Sequence, residues 1–179
     1  IRDQPRSRGL GDVYKRQQGL LHDMSKYSPT EFWVGAKYYQ GTRSPNNAER
    51  EDIGYSSAWL HHKGRNKHHY EYWIDYSMQA LPGGMAPVPM PDKYIAEMIM
   101  DRIAASKVYM GGEYTDRSPL DYYYQGTDRA PIHPETKAKL LYVLEMLAEE
   151  GEEKTFRFIK EELVQHKRCM DWHQLEKAE

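Results

Sequence analysis

Cysteine is almost missing from this chain: Cys169 stands alone among 179 residues. One thiol cannot build an internal disulfide framework, and its isolation fits a reducing cytoplasm. Phenylalanine is scarce as well, three against fifteen tyrosines. The aromatic surface therefore has polar tips suited to half-buried positions. Neither sign of charge dominates. A formal net charge of −2 exerts no general pull on nucleic acid or an anionic membrane. No apolar run approaches the length needed to cross a bilayer, and the N-terminus has no signal-peptide core. These absences leave one cytoplasmic domain with a single core as the expectation.

Residues 1–17, "IRDQPRSRGLGDVYKRQ", differ in character from the rest of the chain, with five Arg or Lys and little apolar periodicity. The piece "DVYKRQ" resembles a translated sequencing adaptor, so a non-native prefix or a disordered basic arm is expected there. The helical domain is then expected over 18–168, with a polar tail over 169–179.

From Gln18 the punctuation is helical. "SPTE" sets Ser28 as N-cap, Pro29 at the first helical position and Glu31 at N3, a capping box that starts a short helix ending near Gly41. "SPNN" at 44–47 starts a second, expected to run to about Gly64, and "SPLD" at 118–121 and "HPET" at 133–136 repeat the device. A longer helix is expected over roughly 92–110, and two more over 134–150 and 152–167. The last two carry core stripes at Leu140, Leu141, Leu144 and Leu147, then Phe156, Ile159 and Leu163, with Gly151 between them. "LPGGMAPVPMP", 81–91, packs four prolines and two glycines into eleven residues and reads as an irregular loop, a lid or site wall. With no alternating strand pattern, the fold class is all-α.

Three places carry chemistry. His22 and Asp23 are adjacent, with Lys26 three positions on. Neighbours on a helix point about 100° apart, yet both reach one ion set beside the backbone, and imidazole with carboxylate suits a divalent transition metal. Asp101 falls on a stripe with Tyr94, Met98, Ala105 and Val108. A buried carboxylate needs a cation or a hydrogen-bond network; the blander reading puts Asp101 at the stripe's edge, paired with an Arg or Lys. Half of the eight histidines lie in "HHKGRNKHH", where the pairs His61/His62 and His68/His69 flank a turn marked by Gly64 and Asn66. The pairs read as a solvated basic helix end or, taken with His22–Asp23 and Asp101, as metal ligands.

"HDMSK" resembles the HDxxK signature of the HD-domain superfamily of metal-dependent phosphohydrolases, and "MDRIAAS" resembles the segment bearing that family's last Asp. "HHK" at 61–63 is similar to the paired histidines of two-metal members. The stretch from Leu20 to about Tyr109 also looks like a bacterial and phage family of unknown function. The resemblance implies a single HD-like helical domain with extra C-terminal helices. It implies His22, Asp23 and Asp101 as ligands of one or two divalent ions (Mn, Co, Fe, Zn or Mg), with either His61 or His62 filling the extra-ligand position. His68 and His69 have no secure equivalent in the family, and His62 and His69 join the expected ligands because the turn between the two pairs can fold both toward one point. The resemblance further implies Lys26 on the substrate phosphate; in the hydrolase reading Asp23 acts with Lys26 in catalysis, and His61 and Arg65 help to hold the substrate. The superfamily places a further histidine upstream of His-Asp, and none precedes His22 here; that ligand is expected to have gone with a native N-terminus.

The leading expectation is hydrolysis of a nucleotide or another small phosphoester, with a metal-bound water as nucleophile. An HD-type di-iron oxygenase is the alternative, and a non-catalytic binding module whose "KGRNK" turn and Tyr70, Tyr72 and Trp73 stack single strands is the third. Membrane and nucleic-acid partners are not expected, while "DYYYQG" at 121–126 offers a tyrosine-rich face to a second copy.

Overall fold

A computed structural model describes residues 23–41, 43–78, 84–126 and 129–166. The fold is mostly α: seven α-helices and one two-stranded sheet among the described residues. No helix there is long and apolar enough to cross a membrane. The chain gathers into two compact units, Ile1–Asn66 and Lys67–Glu179, and the boundary falls in the "KGRNK" turn.

The first unit holds a 3-10 turn (Met24–Tyr27) and helices α1 (Pro29–Tyr38), α2 (Pro45–Ile53) and α3 (Ser57–Lys63). Helix α1 packs against both α2 and α3. Ser28 caps α1, its hydroxyl accepting from Glu31 N at 3.4 Å, and Pro29 pre-sets the first turn. The single helix expected from 45 to 64 is two. Gly54 adopts φ 85, which ends α2, and Ser56 restarts the chain by accepting from Trp59 N at 3.0 Å.

The interior of this unit is unusual. Its only fully buried apolar side chains, among the described residues, are Ala48 and Ala58, whereas Glu31, Glu49, Ser56, His62 and Asn66 are buried with them. Phe32 and Trp33, on the same helix as Glu31, are exposed. Buried polar groups cost free energy unless their bonds are satisfied, so a polar interior has to be a connected network.

The second unit has an ordinary core. A 3-10 turn (Tyr70–Trp73) leads into β1 (Ile74–Tyr76), which pairs antiparallel with β2 (Met85–Pro87), Asp75 facing Ala86. Residues 85–87 of the expected irregular loop are therefore a strand. Three residues are too few to show alternation, and proline is tolerated at a sheet edge. Then come α4 (Asp92–Met110), a 3-10 turn (Gly111–Glu113), α5 (Ser118–Gly126), α6 (Pro134–Glu150) and α7 (Glu152–Phe158), with a π-helical turn at Ile159–Val164. At the start of α5 the Ser118 hydroxyl accepts from Thr115 N at 2.9 Å, so it closes the preceding turn.

Ile95, Ile99 and Ile103 of α4 share one core cluster with Leu140, Val143, Leu144 and Leu147 of α6, and Leu120, Tyr123, Ile159 and Leu163 are among its other members. The predicted stripes of α6 and its successor thus form the core, with Val143 added. The α4 stripe is corrected. Its most buried face runs through Ile95, Ile99 and Ile103; of the expected stripe Met98 lies in the same core and Tyr94 packs against it, whereas Val108 is 77% exposed. Asp101 consequently sits half-buried at the edge of the packed face.

Candidate functional site

The first unit's polar interior centres on Glu31, one turn into α1 and only 7% exposed. As the N3 residue of a capping box it would turn back to the Ser28 amide. Its side chain instead crosses to α3, where its two oxygens lie 2.6 Å from His61 Nδ1 and 2.8 Å from His62 Nδ1. Ser25 Oγ donates to Glu31 Oε2 at 3.2 Å. Burial pushes the Glu31 carboxyl up. The bonds from His61, His62 and Ser25, with the charge of His62, outweigh that and leave it below the ordinary carboxylate value.

Asn66, just past α3, closes the network. Its amide nitrogen donates to Ser25 Oγ at 2.7 Å and to the His62 carbonyl at 2.9 Å. Trp59 stacks on the His62 ring, centroids 5.6 Å apart at 26°, and the Arg50 guanidinium lies 5.7 Å from the Trp59 ring on the indole face. On the far side of its ring, His62 Nε2 stands 3.5 Å from Asp23 Oδ1. Asp23 precedes the 3-10 turn and also forms an ion pair with Lys26.

The structure therefore joins Asp23, His61 and His62 and adds three residues the sequence does not single out for chemistry: Ser25, Glu31 and Asn66. Glu31 is legible only as a capping residue and Asn66 only as a turn former. A pair of histidines with no carboxylate assigned to them is the signal that points to a missing partner. His22 lies outside the described residues. Lys26 is exposed and sits on Asp23. Arg65 is exposed too, and its guanidinium donates to the His61 carbonyl at 3.2 Å, a C-terminal helix contact.

In the second unit His68 is buried and its ring lies 4.2 Å from that of His69. His68 Nδ1 is 3.5 Å from Glu97 Oε1 on α4, a second carboxylate that no sequence motif marks. Asp101 lies one turn beyond Glu97 and contributes to the field around Arg102. Burial pulls that guanidinium below its usual range, while Tyr70, Tyr122, Glu71 and Asp101 act against the shift. Tyr70 is itself pushed up to about 12 by burial, with Glu71 adding to the shift.

A family model with the description "Family of unknown function (DUF5662)" matches residues 7–146. The chain belongs to this family. The DUF5662 span takes in every candidate site residue from His22 to Asp101 and ends within α6. No curated protein and no solved structure matches the chain.

Proposed function

We propose that this DUF5662 protein is a metal-dependent phosphoester hydrolase whose first unit holds a divalent cation at His22, Asp23 and His62. One observation carries the reading: His62 Nε2 and Asp23 Oδ1 face each other at 3.5 Å, within a polar interior that packing does not require. Imidazole nitrogen and carboxylate oxygen are the donor set of a divalent transition metal. When bound, such an ion supplies Lewis acidity and lowers the pKa of a coordinated water.

The chain's own residues do the rest. Trp59 and Glu31 hold the His62 ring from its face and from its Nδ1 edge. Lys26, already at the mouth of this pair and exposed, is placed to exchange Asp23 for a substrate phosphate as a mobile point charge. His61, next to His62 on the same carboxylate, supplies a second imidazole for the substrate. Asp101 enters this proposal on the HD resemblance, and His69 on the pairing of histidines in the sequence.

The test is elemental analysis of the purified full chain, with Mn²⁺- or Co²⁺-loaded protein assayed on a panel of nucleotides and small phosphoesters. Metal is expected to bind stoichiometrically, to be lost in D23A and H62A, and to accompany turnover of at least one substrate. Metal uptake equal in wild type and D23A/H62A would overturn the reading. So would loaded protein that turns over nothing. Tightly held iron with an oxygen-dependent optical spectrum would move the site to oxidation chemistry instead.

A further inference from the structure

We infer that Glu31 is a positioning residue that commits both His61 and His62 to the Nδ1–H tautomer, so that one carboxylate presents two adjacent Nε2 lone pairs. The argument is a count of donors and acceptors. An ionised carboxylate has no hydrogen to give, and at about pH 9, far above the ordinary carboxylate range, Glu31 carries none. At 2.6 Å from His61 Nδ1 and 2.8 Å from His62 Nδ1, each contact needs a hydrogen, and only the rings can supply it.

His62 Nδ1 has two other near neighbours, Ser25 Oγ and Asn66 Nδ2, both at 3.0 Å. Neither offers it a proton. The two amide hydrogens of Asn66 are engaged by Ser25 Oγ and the His62 carbonyl, and Ser25 Oγ also has Glu31 Oε2 as an acceptor at 3.2 Å. The 2.8 Å contact of His62 Nδ1 with Glu31, which can only accept, is the shortest that this nitrogen makes. Nδ1 of His62 is therefore a donor, and its Nε2 is the nitrogen that faces Asp23 Oδ1. Consecutive residues on a helix diverge by about 100°, yet the two oxygens of one carboxylate gather both rings. That role needs an acid, since glutamine carries one acceptor and one donor and can satisfy only one ring in this state.

The functional half of the inference rests on the hydrolase reading: a carboxylate behind a ligand histidine fixes its ring and raises its basicity, and losing it commonly weakens metal binding about 10–100-fold. The tautomer half stands apart from that reading. The experiment is long-range ¹⁵N–¹H correlation of histidine side chains in the metal-free, ¹⁵N-labelled full chain, at about pH 9, above the ordinary histidine value. H61Q and H62Q assign the signals. Both rings are expected as Nδ1–H, Nε2-bare tautomers. In E31Q one of them is expected to convert to Nε2–H, and in E31D neither. A proton on Nε2 of either wild-type ring overturns the inference, as does an E31Q spectrum that keeps both tautomers. Should E31Q fail to fold, the wild-type and E31D spectra still decide it. Wild-type protein with both Nδ1–H tautomers but no Mn²⁺ binding would end the hydrolase reading and leave the positioning role intact.

Discussion

Glu49 on α2 accepts a 2.6 Å hydrogen bond from the hydroxyl of Ser56, the residue that caps α3. Its other oxygen takes the Ser57 hydroxyl at 2.6 Å, and Ala58 N approaches at 3.4 Å. A carboxylate 2% exposed thus fastens the first turn of the helix that bears His61 and His62. Glu49→Ala leaves those donors buried without it, and the expected loss is about 1–3 kcal/mol of stability. Urea unfolding measures it, and an unchanged midpoint would show the network to be ornamental.

The pH dependence has a definite sign at the acid end. Burial pushes Glu49 up, but Ser56, Ser57 and two backbone amides bring it below its ordinary value, as the histidines do for Glu31. A group lowered in the folded state contributes stability that is complete above its unfolded value, near 4.5, and is lost as pH falls through the folded value. Urea midpoints are expected to hold steady down to that value and then decline. The decline should be shallower in E49A, and parallel curves would assign the acid sensitivity elsewhere.

Two glycines should respond in opposite directions. A Cβ at Gly35, inside α1, or at Gly54 meets nothing within 4 Å, so space decides neither case. Gly54 has φ 85, where a side chain costs about 1–2 kcal/mol, whereas Gly35 is helical and alanine gains about 0.4–1 kcal/mol. G54A should lower the thermal midpoint and G35A raise it. A shift of the same sign in both would refute the conformational argument.

In the second unit Lys139 is 4% exposed and its ammonium lies 2.7 Å from both Asp92 and Glu135. Burial lowers its pKa, but the two carboxylates outweigh that and raise it, so the stability it contributes is lost as pH rises through that raised value. Lys139→Met leaves two partly exposed acids without their cation and should cost about 1–3 kcal/mol. The K139M/D92N/E135Q combination should recover much of that loss. Equal losses in the single and triple variants would show that packing of the lysine stem matters, and the charges do not.

Whatever depends on local order is legible in the sequence. Ser28–Pro29, Pro45 and Pro134 mark helix starts because capping and proline geometry act within one turn. Leu140, Leu144 and Leu147 declare the core because burial repeats with the helical period. Gly54 reads as the interior of a continuous helix because its left-handed conformation depends on where Ser56 restarts the chain. Glu31 escapes the sequence for a deeper reason. A capping glutamate and a histidine-binding glutamate have the same local sequence, and only the neighbouring helix decides which way the side chain turns. Asp101 illustrates the converse, since a helical step count places a residue near a face without showing how far the packed surface extends.

The shared tether also constrains anyone who would redesign the protein. Positions 61 and 62 cannot be tuned one at a time, because a change that slackens the grip on either ring redistributes the same pair of oxygens. Libraries meant to alter reactivity should therefore randomise 31 together with both of them. A graft of the histidine-bearing helix into a new scaffold has to bring its neighbour along.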